Sequence, residues 1–405
     1  MLTYLSKTSG INGDLKSRPE DFIVEEIGSD GTVFEIDKTV IKPDEEGKFV
    51  QFILQKKNWS TSSALSELAK RFGLSQKRFN SAGTKDKLSI STQLASAFSI
   101  SKEKLLAVQI KDIKITGAWI AKDKVRLGQL LGNRFTLTAR NCENNAQEKI
   151  AKILPELNRT FPNYFGEQRF GSTRKNTHII GEKILQGNTE EAVRIFLCDS
   201  EGKEAQEALQ ARKSFADSGD HTAALKYYPK YLRLERSVLA YLERYPGDYT
   251  NALRRLPRNI LLLFVHAFQS HIFNSLLSER LAGGMPELEK GEYYCGETLG
   301  FPDVSKAEAE GWVMGKLIGY DTPLNEREKM MLEKLGIAKE AFRLKSLPEI
   351  ASKGTYRTLF APLKDFNFNT DTHIGSDVSA LFRFALPAGS YATVAMREFL
   401  DSKGE

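Results

Sequence analysis

The sequence predicts an α+β fold in which strand-rich ends enclose a helical middle, so that one domain is inserted into another. Three observations predict it. Period-two runs of β-branched and aromatic residues gather in the first third and again near the C-terminal end, the spacing of half-buried strands. From about residue 175 to 350 the apolar residues recur at helical spacing between prolines. Within the ends, strands and helices do not alternate regularly, which suits α+β better than a doubly wound sheet. The change of texture places residues 1–165 and 366–405 in one domain and 166–365 in the insertion. A chain of 405 residues can hold two or three domains with cores of their own, and neither a fixed-period repeat nor a low-complexity segment interrupts it.

In chain order, the strand candidates of the first third are EDFIVEE around Phe22, GKFVQFILQK from Gly47, LSISTQLAS from Leu88 and NRFTLTAR from Asn133. Between the second and third, Ala64, Leu65, Leu68, Ala69 and Phe72 share one helical face over Ser60–Phe72, and Gly73 supplies a left-handed stop. In the middle, Asn188 followed three residues later by Glu191 opens a helix. Further helical patterns cover 203–216, 231–245 and 259–282, broken by Pro229, Pro246 and Pro257. The run 259–282 is apolar nearly all round at its start, which predicts burial. EYYCGETLGF and GWVMGKLIGY are mixed, and a charged helix starts at Asn325. LFRFAL, with Phe382 and Phe384 on one face, is a strand that Pro387 ends. Ser390 is then the expected N-cap of a helix over YATVAMREFL.

Charge is unevenly spread. The net charge is +6, from 58 Lys+Arg against 52 Asp+Glu, yet residues 1–50 hold 6 basic and 11 acidic side chains (net −5) and residues 51–140 hold 17 and 5 (net +12). Such an excess attracts polyanions, of which a phosphate backbone is the commonest; a solvated lysine-rich surface would look the same. Cys142, Cys198 and Cys295 are far apart and lack C-x-x-C spacing, which argues against a disulfide framework or a zinc site and suits a reducing cytoplasm. The first residues lack the apolar run of a signal peptide, and the most apolar stretch, 260–265, is far shorter than the roughly 20 residues that span a bilayer. A soluble protein with no membrane contact is expected.

Most catalytic signatures are missing. No G-x-G-x-x-G follows a strand, GWVMGK at Gly311 is one residue short of a P-loop, and neither H-E-x-x-H nor G-x-S-x-G occurs. The five histidines are scattered. The expectation is an activity that uses no metal and no cofactor. The strongest local feature is Ala82-Gly83-Thr84-Lys85-Asp86-Lys87, where Gly83 permits a tight turn and Asp86 is one of five acids in the basic segment. A carboxylate amid positive charge is held ionised, as a nucleophile or base requires. Read from the residues alone, the better account of Asp86 is a turn aspartate that caps backbone between two strands.

AGTKDKLSISTQ resembles the catalytic motif of the TruD family of tRNA pseudouridine synthases. RPEDFIVEE at Arg18, LGNRFTL at Leu131, FPNYFGEQRFG at Phe161 and LPAGSYATVAMRE at Leu386 resemble further blocks of that family, in the same order. The resemblance is close over about the first 170 residues and the last 25 and loose in the helical middle, as in a longer, archaeal-type member. It implies a catalytic domain with a mixed, mainly antiparallel sheet and an inserted helix-rich α/β domain. It also implies tRNA as partner, uridine 13 as the family's usual target, no cofactor, and a monomer in the cytoplasm.

The resemblance assigns roles residue by residue. Asp86 stands where the family has its catalytic aspartate. Phe22 of the P-E-D-F block, Asn133 of the G-N-x-F block and Tyr391 of the A-G-S block stand at positions that contact the target nucleotide, although relatives often have Phe in place of Tyr391. Lys16 matches a basic position that pairs with the aspartate, and Phe135 is expected to wall the pocket. Read without the resemblance, Phe22 and Phe135 are core aromatics, Asn133 a turn residue and Tyr391 a helix contact.

The chemistry suits these residue types. Pseudouridylation breaks the bond from uracil N1 to ribose C1′, turns the base and rejoins it through C5, with no atoms gained. Asp86 can attack C1′ or take a proton from C2′. Aromatic walls receive an unstacked base and an amide reads its polar edge. A tRNA-binding or folding module without catalysis is the alternative, opposed by the intact Asp86 motif; a glycosidase would need two carboxyl groups, and one stands out. From Lys226 to Arg258 there are 8 basic and 3 acidic residues among six tyrosines, which suit either RNA contact or a helical hairpin with half-buried tyrosines. FPNYFGEQRFG is expected at the junction between domains.

Overall fold

The structure is a computed structural model that describes residues 2–284, 288–372 and 378–401. The chain divides into two compact units. One consists of Tyr4–Asn163, Glu297–Asp303 and Phe360–Glu405; the other consists chiefly of Tyr164–Gly296 and Val304–Leu359. The division after Asn163 falls inside FPNYFGEQRFG.

The first unit is built on an eight-stranded sheet. Its strands are β1 (Phe22–Ile27), β2 (Phe49–Lys57), β3 (Phe79–Ser81), β4 (Ile90–Phe98), β5 (Ile113–Ala121), β6 (Gly132–Cys142), β7 (Lys364–Thr372) and β8 (Val378–Pro387). They lie in the order β7-β8-β6-β1-β4-β2-β5, and β3 pairs with the second half of β4 while β1 pairs with its first half. Only the β1–β4 pair is parallel, so the sheet is mixed and mainly antiparallel. Strands from both ends of the chain meet where β6 pairs with β8, Phe135 opposite Phe384 and Asn133 opposite Leu386.

Three of these strands escape the sequence pattern, the three-residue β3 among them. Ile113–Ala121 carries Gly117, whose missing side chain leaves room for the Val40 carbonyl; a Cβ there would sit 2.1 Å from that oxygen. Lys364–Thr372 is a polar strand at the sheet's edge, where one face need not be apolar. The predicted helix over Ser60–Phe72 is α1 (Thr61–Arg71). The Ser60 side chain accepts from the Ser63 N–H at 3.1 Å, and Gly73 takes φ +64°. Leu65, Leu68 and Ala69 bury against Phe52 and Leu54 of β2.

The C-terminal helix, Ala392–Leu400, corrects one expectation. Its N-cap is Tyr391 and no side chain caps it; the Ser390 hydroxyl instead donates to Asn163 Oδ1 at 3.0 Å. Phe399 of this helix packs against Phe366 and Phe382, with ring centroids 5.1 and 5.7 Å apart.

The second unit is mainly helical. The Asn188 side chain caps Thr189–Cys198, accepting from the Glu191 N–H at 3.1 Å, and Asn325 opens Glu326–Lys334 with a full capping box. The mixed stretch forms strands: Trp312–Leu317 lies between Thr355–Thr358 and Tyr293–Thr298. Arg258–Ala282 is long and apolar enough, by length and composition, to cross a membrane, so the apolar segment is longer than the run at 260–265. In its most apolar window 61% of residues are buried, and Leu261, Phe264, Val265, Phe268 and Ile272 lie in the helical core.

Candidate active site

Strand register decides which side chains share a face. Residues paired across a sheet project to the same side, and alternate residues along each strand follow them. Val24 pairs with Phe135 and with Ser91, and Ser91 pairs with Lys56. One face therefore carries Phe22, Val24 and Glu26 of β1, Asn133 and Phe135 of β6, Lys56 of β2 and Phe384 of β8. The loop 82–89, which connects β3 to β4, is anchored on this face.

The loop is fixed by polar contacts to buried groups. Gln93 Nε2 donates to the Gly83 carbonyl at 2.8 Å, and the Lys85 N–H donates to Thr61 Oγ1 at 2.8 Å. Lys85 Nζ lies 2.6 Å from Glu26 Oε2, with the two side chains 5% and 0% exposed. Glu26 Oε1 accepts from the Leu94 N–H at 2.9 Å. The Glu26 carboxylate is thus hydrogen-bonded to the backbone as well as paired, a condition that helps a buried charge to be tolerated.

Asp86 follows directly. Its carboxylate accepts from Lys16 Nζ at 2.5 Å, and its side chain is 38% exposed. Its backbone carbonyl accepts from Lys56 Nζ at 2.9 Å and Ser89 Oγ at 2.8 Å. Lys16 takes φ +61°, an uncommon conformation for a residue with a Cβ, and its ammonium lies 4.1 Å from the centroid of the Phe22 ring. Phe22 meets Phe135 edge to face at 6.2 Å, and Phe135 meets Phe384 at 5.7 Å. Such aromatic pairs add about 0.5–1.5 kcal/mol each beyond their burial. Phe22 and Phe135 are 4% and 6% exposed, so both rings form the floor of the site and are held by the core.

Asn133 is half-buried, two residues before Phe135 and opposite Glu26. Its Oδ1 is buried without a hydrogen-bond partner, a deficit of about 1–3 kcal/mol for a buried acceptor. Gly132 beside it is required by close approach, since a Cβ there would lie 2.3 Å from the Leu386 carbonyl oxygen. Tyr391 is half-buried and enters through the same strand pair: Leu386 and Pro387 lie opposite Asn133 and Gly132, and the turn after them leads to Tyr391. Direct contacts thus bring Lys16, Phe22, Asp86 and Phe135 together; Asn133 shares their face, and Tyr391 stands at the strand end beside Asn133.

Two residues of the site escaped the sequence reading, Glu26 and Lys56. Their signal is a charged residue at a core-facing position of an alternating strand. Glu26 follows Phe22 and Val24 at period two, and Lys56 follows Phe52 and Leu54.

The structure also revises the charge expectation. Glu20, Asp21, Glu25, Glu26, Glu35, Asp37 and Asp44 of the acidic start pair with Lys57, Arg140, Arg134, Lys85, Lys114 and Lys102 of the basic segment, Arg134 bridging Glu25 and Glu35. The hydrogen bonds from Arg140 hold the Asp21 carboxyl below its ordinary range. Much of the +12 is therefore neutralised inside the unit, and Lys87, Lys104, Lys111 and Lys124 are among the exposed cations that stay outside these pairs. In the second unit, Tyr228 is buried and donates to the Leu197 carbonyl, Tyr241 donates to Asp248, and Arg254 and Arg258 bind Glu349; Tyr227, Tyr231 and Tyr245 are exposed. Among the described residues no cluster of three His, Cys, Asp or Glu side chains could hold a metal.

The family model for tRNA pseudouridine synthase D (TruD) matches residues 1–399. A Methanosarcina mazei protein described as a probable tRNA pseudouridine synthase D is 34% identical over 98% of this chain and 95% of its own length. An Archaeoglobus fulgidus protein of the same description is 35% identical over 99% and 97%. The crystal structure of the Methanosarcina mazei TruD protein superposes with a TM-score of 0.79 at 33% identity, covering 98% of this chain and 95% of that one. Sequence over nearly the whole length, together with fold, places this chain in the TruD family of tRNA pseudouridine synthases.

Proposed function

We propose that the protein isomerises uridine 13 of tRNA to pseudouridine, with Asp86 as its catalytic carboxylate. The observation that carries this reading is the holding of Asp86 from both ends: Lys16 on its carboxylate, Lys56 and Ser89 on its carbonyl. A partly exposed carboxylate fixed over a floor of aromatic rings suits attack on a ribose whose base has left its stack.

In the proposed reaction the N1–C1′ bond breaks, the uracil turns, a C5–C1′ bond forms, the C5 proton leaves to water and N1 takes up a proton from water, so that atoms and charge balance. Asp86 either bonds to C1′ and is displaced, or takes the C2′ proton and returns it. Lys16 keeps the carboxylate charged and aimed. Phe22 and Phe135 support the flipped nucleotide from below, Tyr391 offers a ring beside it, and Asn133 supplies the amide that reads the polar edge of the uracil. The sheet-bearing unit, 1–165 with 366–405, is proposed to carry the chemistry, and 166–365 to be the family-specific insertion. The enzyme is taken to act as a cytoplasmic monomer without a cofactor, in keeping with its three free cysteines.

The test is tritium release from a tRNA transcript labelled at uridine C5, wild type against Asp86→Asn. Release by the wild type alone supports the reading. Equal release by both removes Asp86 from the mechanism, and release by neither favours a binding module. Mapping the modified position in the product tests the choice of uridine 13.

A further inference from the structure

Beneath the candidate site lies a lysine that holds the Asp86 main chain and to which the proposed reaction gives no step. Lys56 is fully buried and takes part in no ion pair among the described residues. Among the described residues its ammonium makes one hydrogen bond, to the carbonyl of Asp86. The charged groups facing it are Asp86 and Lys85, and these are paired in turn with Lys16 and Glu26. Counting the cluster, three cations (Lys16, Lys56, Lys85) stand against two carboxylates (Asp86, Glu26), so Lys56 is the charge left over. An ammonium buried with no carboxylate of its own is costly to fold around, and a methionine of similar length would fill the space without that cost.

We infer that Lys56 is a positioning residue for the reaction: it fixes the backbone of Asp86 from below and supplies the excess positive charge that an ionised carboxylate at this place requires. This rests on the reading of Asp86 as the catalytic group. The geometry separates the two lysines by task. Lys16 is partly exposed and meets the carboxylate itself, where it can move when a nucleotide arrives. Lys56 has no route to solvent and holds the main chain, so it acts on the position of Asp86 throughout. Burial lowers the Lys56 ammonium to about 8, opposed by Asp86 and assisted by Lys85. The charge on Lys56 is accordingly lost as pH rises through that value.

The experiment compares Lys56→Met, Lys56→Gln and Asp86→Asn, reading single-turnover tritium release, filter binding of the same tRNA transcript, and circular dichroism. Lys56→Met is expected to fold and to bind tRNA within about twofold of wild type. Its release rate should fall roughly 10- to 100-fold, as for loss of a charged hydrogen bond or a small displacement of the reacting group. Lys56→Gln keeps a donor without a charge, and it should lack the decline in rate expected of wild type as pH rises through about 8. A folded Lys56→Met with an unchanged rate overturns the inference, as does a parallel loss of rate and binding, which would make Lys56 an RNA contact. Should Lys56→Met not fold, Lys56→Gln decides: an alkaline decline like that of wild type overturns the inference. Release by Asp86→Asn equal to wild type would instead refute the assignment of Asp86, whatever the Lys56 variants do.

Discussion

Lys16 Nζ lies 2.5 Å from Asp86 Oδ2 although 70 residues separate them in the chain, and the same ammonium covers the Phe22 ring at 4.1 Å. One cation thus touches both the candidate carboxylate and the aromatic floor beside it. A base that comes to rest on Phe22 must displace this ammonium from the ring while leaving it near Asp86.

Replacing Lys16 by Met should therefore slow the reaction more than it weakens binding. A loss of roughly 10- to 100-fold in release rate is expected, the value of a charge-assisted hydrogen bond to the reacting group. Lys16→Arg should recover only part of it, because a planar guanidinium does not replace a compact ammonium. Single-turnover rates and filter binding measured side by side check both statements.

The buried pair of Lys85 and Glu26 should matter to stability. Glu26→Gln or Lys85→Met leaves one buried charge unpaired and should cost about 3–5 kcal/mol, measured by urea unfolding. The double variant Glu26→Leu with Lys85→Met should cost less than the sum of the single changes, since it leaves no charge behind.

Binding should depend on salt through the cations that remain outside the ion pairs. Lys87 is exposed beside Asp86, whereas Lys114 is paired with Asp37. Lys87→Gln should weaken tRNA binding and lower the slope of log Kd against log salt by about 1, while Lys114→Gln should change the slope less. Equal slopes for both variants would refute this division of the charge.

Stability should fall in mild acid. His178 stacks on His271 with ring centroids 4.7 Å apart, and burial, helped by repulsion from His271, lowers the His178 imidazole to about 4. The unfolded chain takes up this proton near pH 6.5. Above that pH both states are neutral and nothing is lost; between 6.5 and 4 the unfolded state binds more protons, so stability declines as pH falls. His178→Phe should flatten the dependence of Tm on pH across that interval.

How far the site was legible depends on what kind of signal each residue leaves. Asp86 stood out as an acid in a basic segment, and strand periodicity located β1, β2, β4 and β6 to within two residues. The buried aromatics were visible as strand residues, but their pattern cannot distinguish a core ring from a ring below a substrate. Ser390 looked like a cap because its residue type favours one; its hydroxyl is taken by Asn163 instead, a contact that local preference does not contain. The strand 113–121 was hidden by Gly117, which exists for the close approach of Val40.

By itself the sequence determined the α+β division, the family motifs and the placement of a single candidate carboxylate, because periodicity and residue type are local properties. Only the tertiary structure decided what surrounds that carboxylate. The acids of the first 50 residues cancel much of the basic segment, and Lys16, Lys56 and Glu26 converge on the 82–89 loop from three separate stretches of chain. The physical reason is register: pairing fixes which alternate side chains share a face, and charges far apart in sequence then meet where water is excluded, so their effect depends on geometry that no local pattern records.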